Sequence, residues 1–255
     1  MFNLETKTAF ITAGAQGIGR SIAIELARAG ADIVVAQRDI KKVDGVIDEI
    51  KSMGRQAIGV HVDVTDMTSV KNGVQKALEQ FPRIDILVNN AGCGEHIAGS
   101  TTLDDFDACN DVNVKGVWRV CSELAPHFKA NQSGKIINIS SVAGRRGNTD
   151  DLAYRASKAA VINLTQSLAC QLGPDNINVN VICPTGIPTT ELVQKALSQR
   201  GLTKEGAEKH LMELGVLKRL VTTDDIAYAT VFFASPAAKS ITGQTLNVDA
   251  GFIMS

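Results

Sequence analysis

The chain has 255 residues, 44% of them hydrophobic, with 26 basic and 27 acidic side chains and a net charge of −1. That length supports one large core, and the even spread of both charge signs argues against nucleic acid or an anionic membrane as a partner. The five cysteines (Cys93, Cys109, Cys121, Cys170 and Cys183) are odd in number, widely spaced and free of any Cys-x-x-Cys. They argue against a disulfide framework or structural zinc and fit a reducing compartment.

The opening MFNLETKTAF lacks the charged-then-apolar pattern of a signal peptide, and no apolar run is long enough to span a bilayer. A cytoplasmic protein is expected. Short β-branched runs follow at 8–12, 32–36, 57–62, 84–89, 135–140, 177–182 and 244–248 and read as strands. Helix-length amphipathic segments at 18–29, 40–53, 67–80, 105–130 and 152–172 separate most of them. Strands divided by helices favour parallel pairing with right-handed crossovers. Several strands are apolar at nearly every position, as in a sheet covered on both faces.

After the first strand comes TAGAQGIGRS, a Gly-rich turn leading into a helix. Gly14, Gly17 and Gly19 allow a tight turn and close ligand approach, with Gln16 and Ile18 between them. The helix beginning near Gly17 directs free N–H groups and its positive dipole end at a pyrophosphate. Such a turn also serves as a plain βα connection, or as a nucleotide or S-adenosylmethionine site. Inside a βαβ unit it points to a dinucleotide.

At the end of the second strand stand Gln37, Arg38 and Asp39. An acid here accepts from a ribose 2′-hydroxyl, whereas a basic residue suits a 2′-phosphate. Arg38 can fork onto a phosphate. Asp39 either caps the next helix or repels that phosphate. The balance favours NADP(H) over NAD(H). In VDVTD, Asp63, followed by Val64, is an acceptor for an adenine amino group or a helix cap. NNAG supplies Asn89, Asn90, Ala91 and Gly92 at the end of the fourth strand.

In LAYRASKAAV, Tyr154 and Lys158 lie one helical turn apart and share a face. Alone, the pair suits an exposed helix surface as well as an active site. However, TAGAQGIG, DVT, NNAG, DVNVKG, NISSVAG, YRASK and ITGQTLNVDAG together resemble, in order and spacing, the short-chain dehydrogenase/reductase family across essentially the whole chain. The resemblance implies a single α/β domain over 1–255, a doubly wound Rossmann fold with one parallel seven-stranded sheet. It implies an NAD(P)(H)-dependent enzyme interconverting secondary alcohols and ketones.

It also implies roles for four residues. Tyr154 is the general acid/base, Ser141 holds the substrate oxygen, and Lys158 both lowers the tyrosine pKa and binds the nicotinamide ribose. Asn113 shapes a helix bend and holds a water behind the lysine. A phenol titrates near ~10, so a neighbouring ammonium is expected to keep Tyr154 acidic. Pro184, Ile187 and Thr189 match cofactor-contacting positions. No metal is implied. A 3-oxoacyl-[acyl-carrier-protein] reductase and a non-catalytic cofactor-binding regulator are the alternatives.

Three positions depart from the family pattern: Ala13 and Ala250 replace glycines, and Thr185 replaces another near the nicotinamide. Gly14 is expected to take over the turn at Ala13. Residues 185–214 insert after the sixth strand, as a substrate lid or a packed hairpin. Residues 93–96 and 142–148 should line a small-molecule pocket. There His96, Arg145 and Arg146 recognise an acidic or hydroxylated substrate, or are rim charges and subunit contacts. Helices 105–130 and 152–172 resemble those of a family dimer interface, so a homo-oligomer, dimer or tetramer, is expected.

Overall fold

Residues along each central strand alternate between two apolar layers. Ala9, Ile11, Ile33, Val35, Ile86 and Val88 join one cluster, and Phe10, Val34, Ala36 and Leu87 join the other. This period of two, apolar on both faces, is the burial that the uninterrupted strand runs require. The computed structural model describes residues 2–94, 102–148, 151–190, 193–194, 201 and 203–254. Seven parallel strands form one sheet: β1 (Thr8–Thr12), β2 (Asp32–Gln37), β3 (Ala57–His61), β4 (Ile86–Asn89), β5 (Gly134–Ile139), β6 (Ile177–Pro184) and β7 (Thr245–Val248). Their order is β3-β2-β1-β4-β5-β6-β7. Strand order reverses between β1 and β4, which opens the crevice where such sheets bind ligands.

Among the described residues the helices include α1 (Gly17–Arg28), α2 (Asp44–Ser52), α3 (Met67–Gln80), α4 (Leu103–Asn110), α5 (Gly116–Ala130), α6 (Leu152–Leu172), α7 (Lys204–Leu214) and α8 (Thr223–Ala234). The helix expected over 40–53 is a 3-10 turn, Ile40–Lys42, followed by α2. The one expected over 105–130 is α4 and α5 joined through a π-helical turn at Asp111–Lys115. Helix α8 was not among the expected segments. Its start carries a capping box, in which Thr222 and Asp225 satisfy each other's backbone N–H.

Buried amides tie the strand ends to α6. Asn89 Nδ2 donates to Asn138 Oδ1 at 2.8 Å, and Asn138 Nδ2 donates to Thr165 Oγ1 at 2.9 Å. Each would cost about 1–3 kcal/mol if left unpaired, so the chain of bonds fixes the helix against the sheet.

Two of the three departures from the family pattern keep a glycine-like backbone. Ala13 has φ 52° and Ala250 has φ 56°. Gly14 does not take over the turn, since its φ is not positive; the alanine itself enters the left-handed region. Thr185 carries no such strain. A left-handed alanine costs about 1–2 kcal/mol, partly offset by glycine's greater freedom in the unfolded chain. Ala13→Gly and Ala250→Gly should therefore each stabilise the protein, by up to about 1 kcal/mol. Urea unfolding checks this, and a loss of stability in both variants would contradict it.

Candidate active site

The Gly-rich turn lies at the carboxyl end of β1. A Cβ on Gly19 would stand 2.2 Å from the Ala13 carbonyl oxygen and 2.5 Å from Asn90 Nδ2, so only glycine lets α1 approach this closely. Gly17 takes φ 53°. Asn90 Nδ2 donates to the carbonyls of Thr12 and Ala13, so Asn90 shapes the turn rather than facing outward. Thr12 Oγ1 accepts from the N–H groups of both Asn90 and Ala91 at 3.0 Å, which locks β1 to the β4 end. Thr190, next to the expected Thr189, lies beside the cradle: its Cγ2 is 3.8 Å from a Cβ built on Gly17. Thr189 is exposed, whereas Ile187 and Pro184 are buried.

Asp39 accepts from Lys41 N and caps the following turn. Asp63 Oδ1 accepts from Thr65 N and Thr65 Oγ1, and Asp66 takes the cap of α3. Burial pushes the Asp63 carboxyl up, but the Thr65 hydrogen bonds and the Arg38 charge outweigh it and leave the pKa lowered. Val64, next along the chain, is buried.

The catalytic candidates converge where α6 crosses the ends of β4 and β5. Tyr154 hydrogen-bonds with the Ser141 side chain. Lys158 Nζ lies 5.7 Å from the Tyr154 ring centroid and donates to the Ile139 carbonyl at 3.1 Å. A Cβ on Gly92 would sit 3.2 Å from both Lys158 Nζ and Asn113 Oδ1, which places NNAG directly against the cluster.

Asn113, fully buried in the π-helical turn, accepts from Cys93 N and donates to Cys93 O and to Ser157 Oγ, each at 2.9 Å. Ser157 in turn donates to the Tyr154 carbonyl at 2.7 Å. Ser140 Oγ donates to the Lys158 carbonyl at 2.7 Å. A Cβ on Gly144 would stand 2.6 Å from the Lys158 carbonyl carbon, so the turn after Ser141 packs on the α6 backbone.

The sequence did not single out Thr12, Ser157, Gly144 or Thr190. Thr12 had a visible sign, a polar residue closing a buried strand.

One expectation is corrected. Burial pushes the Tyr154 phenol up to about 12, with the Ser141 hydrogen bond opposing it, and burial pushes Lys158 down to about 8. In the cofactor-free protein burial thus outweighs any acidifying effect of Lys158 on the phenol. Ammonium desolvation outweighs the attraction the spacing promised.

On the substrate side, Arg145 is half-buried and its charge is felt at the Cys183 thiol. Arg146 is exposed, stacks 5.1 Å over the Phe252 ring and offers its carbonyl to Arg155. His96 lies outside the described residues, as do parts of the segment expected to form the lid. Of that segment, α7 is described, and Leu211 packs 3.1 Å from a Cβ built on Gly186.

The glycine cradle at the switch point, the Thr190 contact and a buried, unpartnered Gln37 Oε1 beside it fit a dinucleotide. These features belong to a class of nucleotide-dependent oxidoreductases. A family model described as enoyl-(acyl carrier protein) reductase matches residues 12–253. A 3-oxoacyl-[acyl-carrier-protein] reductase FabG of Staphylococcus aureus is 36% identical over 251 residues, covering 98% of this chain and 99% of that protein. The 7alpha-hydroxysteroid dehydrogenase of Escherichia coli K12 is 34% identical, covering 98% of each. A solved 7 alpha-hydroxysteroid dehydrogenase, complexed with NADH and 7-oxo glycochenodeoxycholic acid, superposes with a TM-score of 0.92 at 33% identity, covering 100% of this chain and 97% of that one. The chain belongs to the short-chain dehydrogenase/reductase family. It is an oxidoreductase that transfers a hydride between a nicotinamide cofactor and a secondary alcohol or ketone.

Gly92→Ala tests the packing against the cluster. The methyl would sit 3.2 Å from Lys158 Nζ and from the hydrogen-bonded Asn113 Oδ1, so both must give by a few tenths of an ångström, which the fold should survive. Displacement of the ammonium should cut kcat by about tenfold to a hundredfold. Unchanged turnover in a folded variant would contradict the geometry.

Proposed function

We propose that this protein is an NADP(H)-preferring reductase of ketones and dehydrogenase of secondary alcohols, with Tyr154 as general acid/base. The observation that carries this reading is the Ser141–Tyr154 hydrogen bond with Lys158 on the same α6 face. A nicotinamide, when bound, supplies or accepts the hydride. The cradle of Gly14, Gly17, Gly19, Gln16 and Ile18 holds its pyrophosphate, helped by Ile187 and Thr189. Gln37 and Arg38 face the adenine ribose, Asp63 and Val64 the adenine, and Ala91, Gly92, Pro184 and Lys158 the nicotinamide end.

In ketone reduction Ser141 holds the substrate oxygen and Tyr154 delivers a proton to it. A phenol pushed to about 12 stays protonated at neutral pH and is ready to donate. Lys158, pushed to about 8, carries its charge below that pH and loses it above. Asn113 fixes the bend in the helix and, through Ser157, the first turn of α6. The segment over 185–214 closes on the substrate as a lid.

Arg145, whose charge is felt at the buried Cys183, binds an acidic group of the substrate. The second reading, reduction of a 3-oxoacyl thioester, draws on the names of the Staphylococcus relatives; a requirement for a carrier protein separates the two. The intact cluster argues against a non-catalytic regulator. The α5–α6 face is a homo-oligomer contact: Trp118 is 54% exposed there beside a groove of about 260 Å³ lined by Pro126 and Leu168. Cytoplasmic placement accords with the absence, among the described residues, of a helix long and apolar enough to cross a membrane.

A panel of ketones and alcohols followed by nicotinamide absorbance tests the activity. Tyr154→Phe should lower kcat about 10²- to 10⁴-fold while retaining cofactor affinity. Activity persisting in that variant would remove Tyr154 from the chemistry. The pH dependence has a definite sign: ketone reduction should fall as pH rises through about 8, where the ammonium is lost. Lys158→Ala should abolish that limb and weaken cofactor binding together. An unchanged pH–rate profile in Lys158→Ala would contradict the role of the lysine. Arg145→Ala should raise KM for acidic ketones and leave it unaltered for neutral ones.

A further inference from the structure

The π-helical turn at Asp111–Lys115 is wider than an α-helical one, and Asn113 sits fully buried within it. Its closing bond runs from Gly116 N to the Asp111 carbonyl, five residues back. Such turns are rare inside helices, so a particular contact is expected to hold this one open. Arg119, on the first turn of α5, supplies it. Nη1 donates to that same Asp111 carbonyl at 3.2 Å and to the Val64 carbonyl at 3.0 Å, and Nη2 donates to Asp111 Oδ1 at 2.8 Å. The arginine side chain is mostly buried while it does so.

Both ends of the turn rest on Val64. A Cβ on Gly116 would stand 3.0 Å from Val64 Cγ2, and Gly116 and Arg119, three residues apart, share the helix face that meets it. Val64 adjoins Asp63, whose N–H donates to Ser69 Oγ at 2.9 Å and whose carboxyl is engaged by Thr65. On its other side the turn presents Asn113, which holds both backbone groups of Cys93, directly after NNAG, and through Ser157 the Tyr154 carbonyl. Hydrogen bonds and packing thus run without a break from the strand end assigned above to the adenine to the residue that carries the phenol. Lys115 also approaches Asp111 Oδ1, at 3.5 Å, but from an exposed position.

We infer that Arg119 is a positioning residue that couples the adenine end of the cofactor site to the proton donor: a base seated on Asp63 and Val64 fixes the Val64 carbonyl, Arg119 links that carbonyl to Asp111, and the π-helical turn then holds Asn113, Ser157 and Tyr154 in their reactive arrangement. The adenine half of the cofactor takes no part in hydride transfer, but its binding energy can be used to set geometry at the reacting centre. An arginine suits the task, because its planar fork holds two carbonyls and a carboxylate at once; a lysine offers one point charge. This inference rests on the dinucleotide site and the role of Tyr154 proposed above.

Dividing the cofactor in two reads the coupling. Reduced nicotinamide mononucleotide supplies a hydride without an adenine, and 5′-AMP or 2′,5′-ADP fills the adenine end without a hydride. Ketone reduction by the mononucleotide is followed by absorbance on the full chain, with and without each fragment at a saturating level set by calorimetry. In the wild-type protein a fragment should raise kcat/KM for the mononucleotide at least about tenfold. Arg119→Met should cut that activation below about twofold and lower kcat with intact NADPH about tenfold, while fragment affinity changes less than about threefold. A purely structural loss would lower the rates with and without fragment alike and leave their ratio unmoved. Arg119→Lys keeps the charge but not the fork, so its activation should be intermediate; it keeps the test decisive if Arg119→Met does not fold.

Wild-type turnover that neither fragment raises overturns the coupling. Activation equal to the wild-type value in Arg119→Met, or in Arg119→Lys if the first variant does not fold, overturns the role of Arg119. Fragment affinity lost in step with activation places Arg119 in adenine binding alone and overturns its positioning role. Absence of ketone turnover with intact NADH and NADPH defeats the proposed function, and the inference with it.

Discussion

An ammonium buried beside a phenol is the constraint on which the rest of this structure turns. Lys158 is 5% exposed, and burial drives its pKa from 10.5 to about 8. The folded value lies below the unfolded one, so the charge opposes folding fully below about pH 8, and the penalty fades as pH rises toward 10.5. A shift of that size corresponds to about 3 kcal/mol, a substantial fraction of a typical net stability. The fold carries the penalty because its contacts hold the lysine at both ends: Ile139 accepts from the head, and Ser140 donates to the backbone carbonyl. Gly144 removes the side chain that would otherwise separate the turn after Ser141 from α6.

The architecture explains why these groups meet. In a parallel sheet all carboxyl ends face one way, so β1, β4, β5 and β6 deliver Thr12, Asn89, Ser140 and Pro184 to one rim. The buried amides then set the spacing. Asn89, Asn138 and Thr165 join two strand ends to α6, and Asn113 with Ser157 joins the π-helical turn to the residue that carries the phenol. Cofactor cleft and proton donor are consequently parts of one hydrogen-bonded frame, and a change in one strand end is felt at the other.

The sequence disclosed the architecture well because its signals are local. Apolar runs of strand length, helix-length spacers and a Gly-rich turn after β1 follow from φ/ψ preference and burial, and the family motifs placed Ser141, Tyr154 and Lys158 correctly in one cluster. Less legible were features that depend on distant partners. Nothing near Ser157 in the chain announces that its hydroxyl bridges Asn113 to Tyr154. The capping box at Thr222 and Asp225 was visible but unread, so α8 was missed. Ala13 seemed able to leave the turn to Gly14, yet the strand and helix on either side fix the backbone there and the alanine bears the strain. The acidity of Tyr154 was the largest error of direction, because spacing reveals a nearby cation but not how completely water is excluded from it.

The most direct test is to titrate that phenol. The protein has two tyrosines, Tyr154 and Tyr228, so Tyr228→Phe leaves Tyr154 as the single ultraviolet reporter of phenolate formation. In cofactor-free protein the account predicts ionisation well above the ordinary value of 10.0, toward about 12. A phenolate already formed at pH 8, while Lys158 is still charged, would contradict it.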